Sequence, residues 1–142
     1  MKGRKRHIIV DTIGCILSVG VHAANVYDAK GARKVIENLF KKIDTVQIIW
    51  ADQTYRGDLG EWVKEQFSCT LEIVENLKKK GFHVVPRRWV VERTFGWLSR
   101  FRRLNREYER EPESSKSMVY IASIGLMLKN LTKEENEAAL VS

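Results

Sequence analysis

The sequence predicts an α/β domain built on a mixed sheet, and three observations predict it. Strand-like and helix-like segments alternate along most of the chain, which is how an α/β layer is written. Hydrophobic residues make up 44% and charged residues 30%, the profile of a globular chain rather than a disordered one. A length of 142 residues gives one domain with a core of its own and leaves little room for a second.

The elements follow in order. Arg6–Thr12 and Cys15–His22 are rich in β-branched residues and flank Ile13 and Gly14, so they predict a β-hairpin with a tight turn. Asn25–Asp28 is turn chemistry, with Asp28 placed to cap a helix. From Ala29 to Lys42 the apolar positions Ala32, Val35, Ile36, Leu39 and Phe40 keep the helical period. Thr45–Ala51 is dense in apolar and β-branched residues, as in a strand buried on both faces. A second helix is expected over Asp58–Phe67 and a short strand over Thr70–Glu75. Lys78–Gly81 predicts a solvated turn, and His83–Pro86 an extended segment that Pro86 stops. A long helix is then expected from about Arg88 to Arg103, and a last one over Lys116–Leu131 capped by Ser114 or Ser115. The domain should therefore occupy residues 1–131, with an acidic tail over 132–142 expected to fray.

Several function classes are set aside by the same reading. The N-terminus does not read as a signal peptide, and the apolar run Met118–Leu128 falls short of the roughly 20 residues that span a bilayer. A cytoplasmic protein with no membrane partner is expected. Cys15 and Cys69 carry no metal-ligand spacing and read as free thiols, while His7, His22 and His83 are scattered and none reads as a zinc ligand.

The net charge of +7 is concentrated. One basic cluster holds Lys2, Arg4, Lys5 and Arg6, and a second, over residues 87–110, holds eight arginines against three glutamates. Two basic clusters point to a polyanion, and the arginine fork of the second suits phosphate. A solvated basic face is the plainer alternative.

Two acids stand out. Asp52 ends the apolar strand in Ile49-Trp-Ala-Asp-Gln-Thr-Tyr-Arg-Gly57, where open α/β sheets expose functional groups on their rim. A turn or cap aspartate explains the same position. Glu92 lies among arginines on an aromatic-rich helix, four residues after Arg88, and an ordinary helical ion pair would account for it. Trp89 and Trp97 on that helix are better explained by core packing than by stacking on bases. Asp11, beside the predicted turn, reads as a turn residue.

Four strings, in order, resemble the DDE transposases of bacterial insertion sequences. They are Lys2 to Gly14, His22 to Asp28, Ile49 to Gly57 and Pro86 to Leu98, and the likeness runs from Lys2 to about Leu131. The resemblance implies a ribonuclease H-like mixed sheet flanked by helices, with Asp52 as the second acid of a metal-binding triad and Glu92 as the third. The family's arginine four residues before the glutamate is matched by Arg88, whereas its tyrosine and lysine positions hold Val85 and Ser99, the latter beside Arg100. The first acid of the family lies on a central strand upstream of the hairpin, so the fold is expected to lack that strand and the triad its first member.

The implied chemistry is cleavage and strand transfer of phosphodiesters at insertion-sequence ends. Two Mg²⁺ ions about 3.5–4 Å apart, with Mn²⁺ as a substitute, would activate the nucleophile and stabilise the leaving oxygen. Asp52 and Glu92 are the candidate metal and catalytic residues. Lys2, Arg4, Lys5, Arg6, Arg87, Arg88, Arg93, Arg100, Arg102 and Arg103 are the candidate contacts to DNA, both transposon ends and target. An upstream transposase polypeptide or a second subunit would be the partner that completes the site, and without it the chain is expected to be inactive. The competing readings are a non-catalytic DNA-binding remnant using the arginine-rich helix, and another nuclease of the same fold.

Overall fold

A computed structural model describes residues 3–74, 86–101, 104 and 110–141, with backbone alone at 86–89, 92 and 133–141. Strands β1 (Arg4–Val10) and β2 (Ile16–Ala23) pair antiparallel. The register places His7 opposite Gly20 and Lys5 opposite His22, with an irregularity between Ile9 and Val10. Asp11 closes the connection, since its Oδ1 accepts from the amides of Ile13 and Cys15 at 3.0 and 2.9 Å. Gly14 sits at φ 91°, a left-handed conformation that any Cβ would strain.

Helix α1 (Asp28–Lys42) covers one face of the hairpin. The pleat sorts the strand residues: Ser18 donates to the carbonyl of Val35 at 2.9 Å and Gly20 lies against Val35, so both face α1. Val19 points the other way, into a core with Leu98, Leu104, Val119 and Ala122. A second core joins Ala32 and Ile36 of α1 to Leu59, Val63 and Cys69. Cys69 is buried, Cys15 is partly so, and both are free thiols.

Strand β3 (Ile48–Ala51) runs into a short 3₁₀ turn, Gln53–Tyr55, then helix α2 (Leu59–Phe67) and strand β4 (Thr70–Ile73). A parallel pair needs such a crossover, and β3 and β4 are parallel, with Trp50 opposite Glu72. The Trp50 indole N–H donates to the Glu72 carboxylate at 3.0 Å. Among the described residues the strands thus form two separate two-stranded sheets, β1–β2 and β3–β4. The architecture is mixed α/β, as the sequence predicts.

Helices α3 (Pro86–Leu98) and α4 (Pro112–Val141) complete it. Both begin on a proline, whose fixed φ and missing N–H suit the first helical position. This moves both starts upstream of expectation, which placed them at about Arg88 and after a cap at Ser114 or Ser115. Ser115 lies inside α4, fully buried, rather than at its cap. Asp28 is likewise displaced from its expected role: Tyr27 holds the N-cap position, no side chain caps it, and the Asp28 carboxylate pairs with Lys5 at 3.0 Å instead. The long arginine helix stops at Leu98, where the chain turns over Ser99–Phe101. The turn expected at Lys78–Gly81 and the segment expected from His83 lie outside the described residues. Among those described, no helix is long and apolar enough to cross a membrane.

Candidate active site

Asp52 follows β3 directly and opens the 3₁₀ turn. Its Oδ1 accepts from the Thr54 amide at 2.9 Å and from the Thr54 hydroxyl, so the cap role and the rim position coincide in one residue. Asp52 lies at the edge of a cleft of about 810 Å³. Consecutive residues Arg6–Thr12 line one side and Ile48–Asp52 the other, as strand edges do and strand faces do not. Among the described residues β1 pairs only with β2 and β3 only with β4, so each leaves one edge open to this cleft. Val35, Ile36 and Leu39 of α1 form one wall, and Val90, Val91 and Phe95 of α3 another. Helix α3, which carries Glu92 in its sequence, thus lines the cleft that Asp52 borders.

The basic residues divide into those already engaged and those facing solvent. Arg4 donates to the carbonyl of Arg110, Arg6 to that of Leu104 at 2.9 Å, and Lys5 pairs with Asp28. Arg93 donates to the carbonyl of Ile13 at 3.1 Å and lies 4.7 Å over the Trp97 ring. That contact and the packing of Trp97 beside Gly14 make Trp97 a structural residue. Arg100 is exposed on the turn after α3. Lys2, Arg102 and Arg103, and the side chains of Arg87, Arg88, Trp89 and Glu92, lie outside the described residues.

Sequence reasoning missed a cluster. The hairpin register puts His22 diagonally beside His7 on one face, so the two are not scattered. Their rings stack at 4.6 Å, and the Nε2 atoms meet. The Tyr55 hydroxyl bonds His7 Nδ1 at 2.5 Å, and His22 Nδ1 bonds the Ala23 carbonyl at 2.8 Å. Burial, and then the neighbouring His22, lower the His7 pKa and favour its neutral form. Burial, reinforced by the charges of Asp52 and Asp28, pushes the Tyr55 phenol well above its ordinary value, so it stays protonated. The only signal in the sequence was the pairing register itself.

Residues 1–128 match the family described as Transposase DDE domain. The chain belongs to the DDE transposase family. It is 27% identical over 118 residues to a protein of Burkholderia cepacia whose name assigns it as a transposase of insertion sequence element IS402. That likeness covers 78% of this chain and 56% of the relative, so the chain spans little more than half of the protein it matches. No solved structure matches.

A two-ion centre of hard cations needs several carboxylate oxygens. Among the described residues lining the cleft, this transposase domain offers the carboxylates of Asp52, with one oxygen held by Thr54, and of Asp11, with one oxygen held by the amides of Ile13 and Cys15. That donor set does not by itself fit a pair of ions.

Proposed function

We propose that the chain supplies the larger part of a ribonuclease H-like catalytic domain that cleaves and joins DNA at insertion-sequence ends. Asp52 and Glu92 are two of its three acids, and Mg²⁺ is the metal. The observation that carries this reading is the position of Asp52, at the end of β3 and on the rim of a cleft flanked by two open strand edges. An extended segment lying between those edges would join the two sheets into one, with every backbone group of the edges paired. We assign that place to the central strand that carries the family's first acid, delivered by an upstream transposase polypeptide. The resident residues then have separable tasks. Asp52 and Glu92 present carboxylate oxygens, Arg100 and the neighbouring arginines hold phosphates, and α1 and α3 exclude water from the middle of the sheet.

The commitment of one Asp52 oxygen to Thr54 favours a second reading, in which the chain only binds DNA through its arginines. Cleavage of labelled terminal DNA with Mg²⁺ separates the two. The isolated chain should leave the DNA intact, and addition of the upstream polypeptide should produce nicks. Complementation that yields tight binding but no nick at any Mg²⁺ concentration would favour the binding-only reading.

A further inference from the structure

A group of potential ligands is distinct from the proposed pair of acids, although its His7 lines the same cleft as Asp52. We propose that His7, His22 and Asp28 form a site for one borderline transition-metal ion of the Zn²⁺ class. Their candidate ligand atoms all lie within 4.8 Å of one another. Two imidazoles and one carboxylate suit Zn²⁺ and its neighbours rather than Mg²⁺, which demands oxygen. Three protein ligands also leave a coordination position open.

Three further features support the assignment. The first is the meeting of the two Nε2 atoms. Two ring nitrogens cannot face each other as bare lone pairs, so in the absence of an ion one must donate a proton to the other, and the two must part slightly to receive a cation. The second is the outer hydrogen bonding. His22 Nδ1 is held by the Ala23 carbonyl and His7 Nδ1 by the Tyr55 hydroxyl. When both Nδ1 atoms donate, both Nε2 lone pairs are free for a metal, the arrangement by which outer partners fix ligating histidines. Without an ion the Tyr55 proton can instead point to His7, whose Nε2–H then donates to His22, so the chain of bonds serves both states.

The third feature is space. Gly31 of α1 faces the two Nε2 atoms, and any side chain there would fall well inside contact distance of the His22 ring. Asp28 is shared with Lys5, whose ammonium holds one carboxylate oxygen at 3.0 Å. The Lys5 side chain is 39% exposed, so it can swing outward as an ion enters. Lys5 therefore acts as a built-in competitor for the site.

The test is titration of the full chain with Zn²⁺ by calorimetry and with Co²⁺ by visible absorption. One ion per chain is expected. His22→Gln should weaken binding by at least about a hundredfold, and Tyr55→Phe by a smaller factor, roughly the 10- to 100-fold that outer partners contribute. Lys5→Met should tighten binding, whereas Asp52→Asn should leave it unchanged. The Lys5 result keeps the test decisive even if a histidine variant folds poorly. Absence of binding by the native chain would overturn the proposal, as would binding indifferent to both His22→Gln and Lys5→Met. DNA cleavage plays no part in these readouts, so the outcome is independent of the proposed transposition chemistry.

Discussion

Gly31→Ala offers a direct test of how tightly α1 seats on the hairpin. A new Cβ at this position would run into the His22 ring and come within 3.0 Å of His7 Nε2. Overpacking of this kind costs about 1–3 kcal/mol. Replacing a helical glycine also recovers roughly 0.5–1 kcal/mol of backbone entropy, so a net loss of about 0–2.5 kcal/mol is expected. Gly125 of α4 is a matched control, because nothing lies within 4 Å of its added Cβ. Gly125→Ala should therefore show the entropic gain alone. The difference between the two variants isolates the steric cost. With a urea slope of about 2 kcal/mol per molar, it corresponds to midpoints roughly 0.5–1.5 M apart. The assay is urea unfolding followed by far-ultraviolet circular dichroism. If Gly31→Ala proved as stabilising as Gly125→Ala, the close packing of Gly31 on the histidine pair would be wrong.

Three other outcomes follow from the same geometry. Asp11→Ala removes the acceptor for two loop amides and should cost about 1–2 kcal/mol in urea unfolding, with Asp11→Asn costing less. Because the folded His7 pKa is depressed, the unfolded chain binds the proton more readily. Stability from this residue is complete above the ordinary histidine value and is lost as pH falls below about 6.5. The urea midpoint should drop between about pH 7.5 and about pH 5.5, and a His7→Gln variant should show a shallower drop. Arg100→Ala should weaken DNA binding evenly across sequences and reduce the slope of log affinity against log salt by about 0.9; a slope unchanged in fluorescence anisotropy would remove Arg100 from the interface.

Much of this architecture was legible in the sequence because the deciding forces were local. The hairpin, α1 and the strand before Asp52 are written in hydrophobic period and turn chemistry, and the structure places them within a few residues of expectation. The failures lie where a distant residue intervenes. Asp28 was expected to cap its own helix, but Lys5, across the hairpin, claims its carboxylate. His7 and His22 are 15 residues apart in sequence and meet only through the antiparallel register, which spacing alone does not reveal. The prolines misled for another reason. Pro86 read as the stop of the extended segment before it and the last helix was expected to start after Pro112, yet each proline serves as the first residue of a helix. At the site itself, Asp52 was visible from its strand end, whereas the cleft beside it depends on which strand edges remain unpaired.

The proposed cleavage chemistry depends first on the Asp52 carboxylate. Its most direct test compares native chain with Asp52→Asn, each supplemented with a polypeptide that carries the family's first strand, measuring Mg²⁺-dependent nicking and binding of the same terminal DNA. The variant should lose at least a hundredfold in nicking rate, about 2.7 kcal/mol of transition-state stabilisation, while its affinity for DNA stays within a factor of about two (about 0.4 kcal/mol). Undiminished nicking by the Asn variant would contradict the assignment of Asp52 as a catalytic acid.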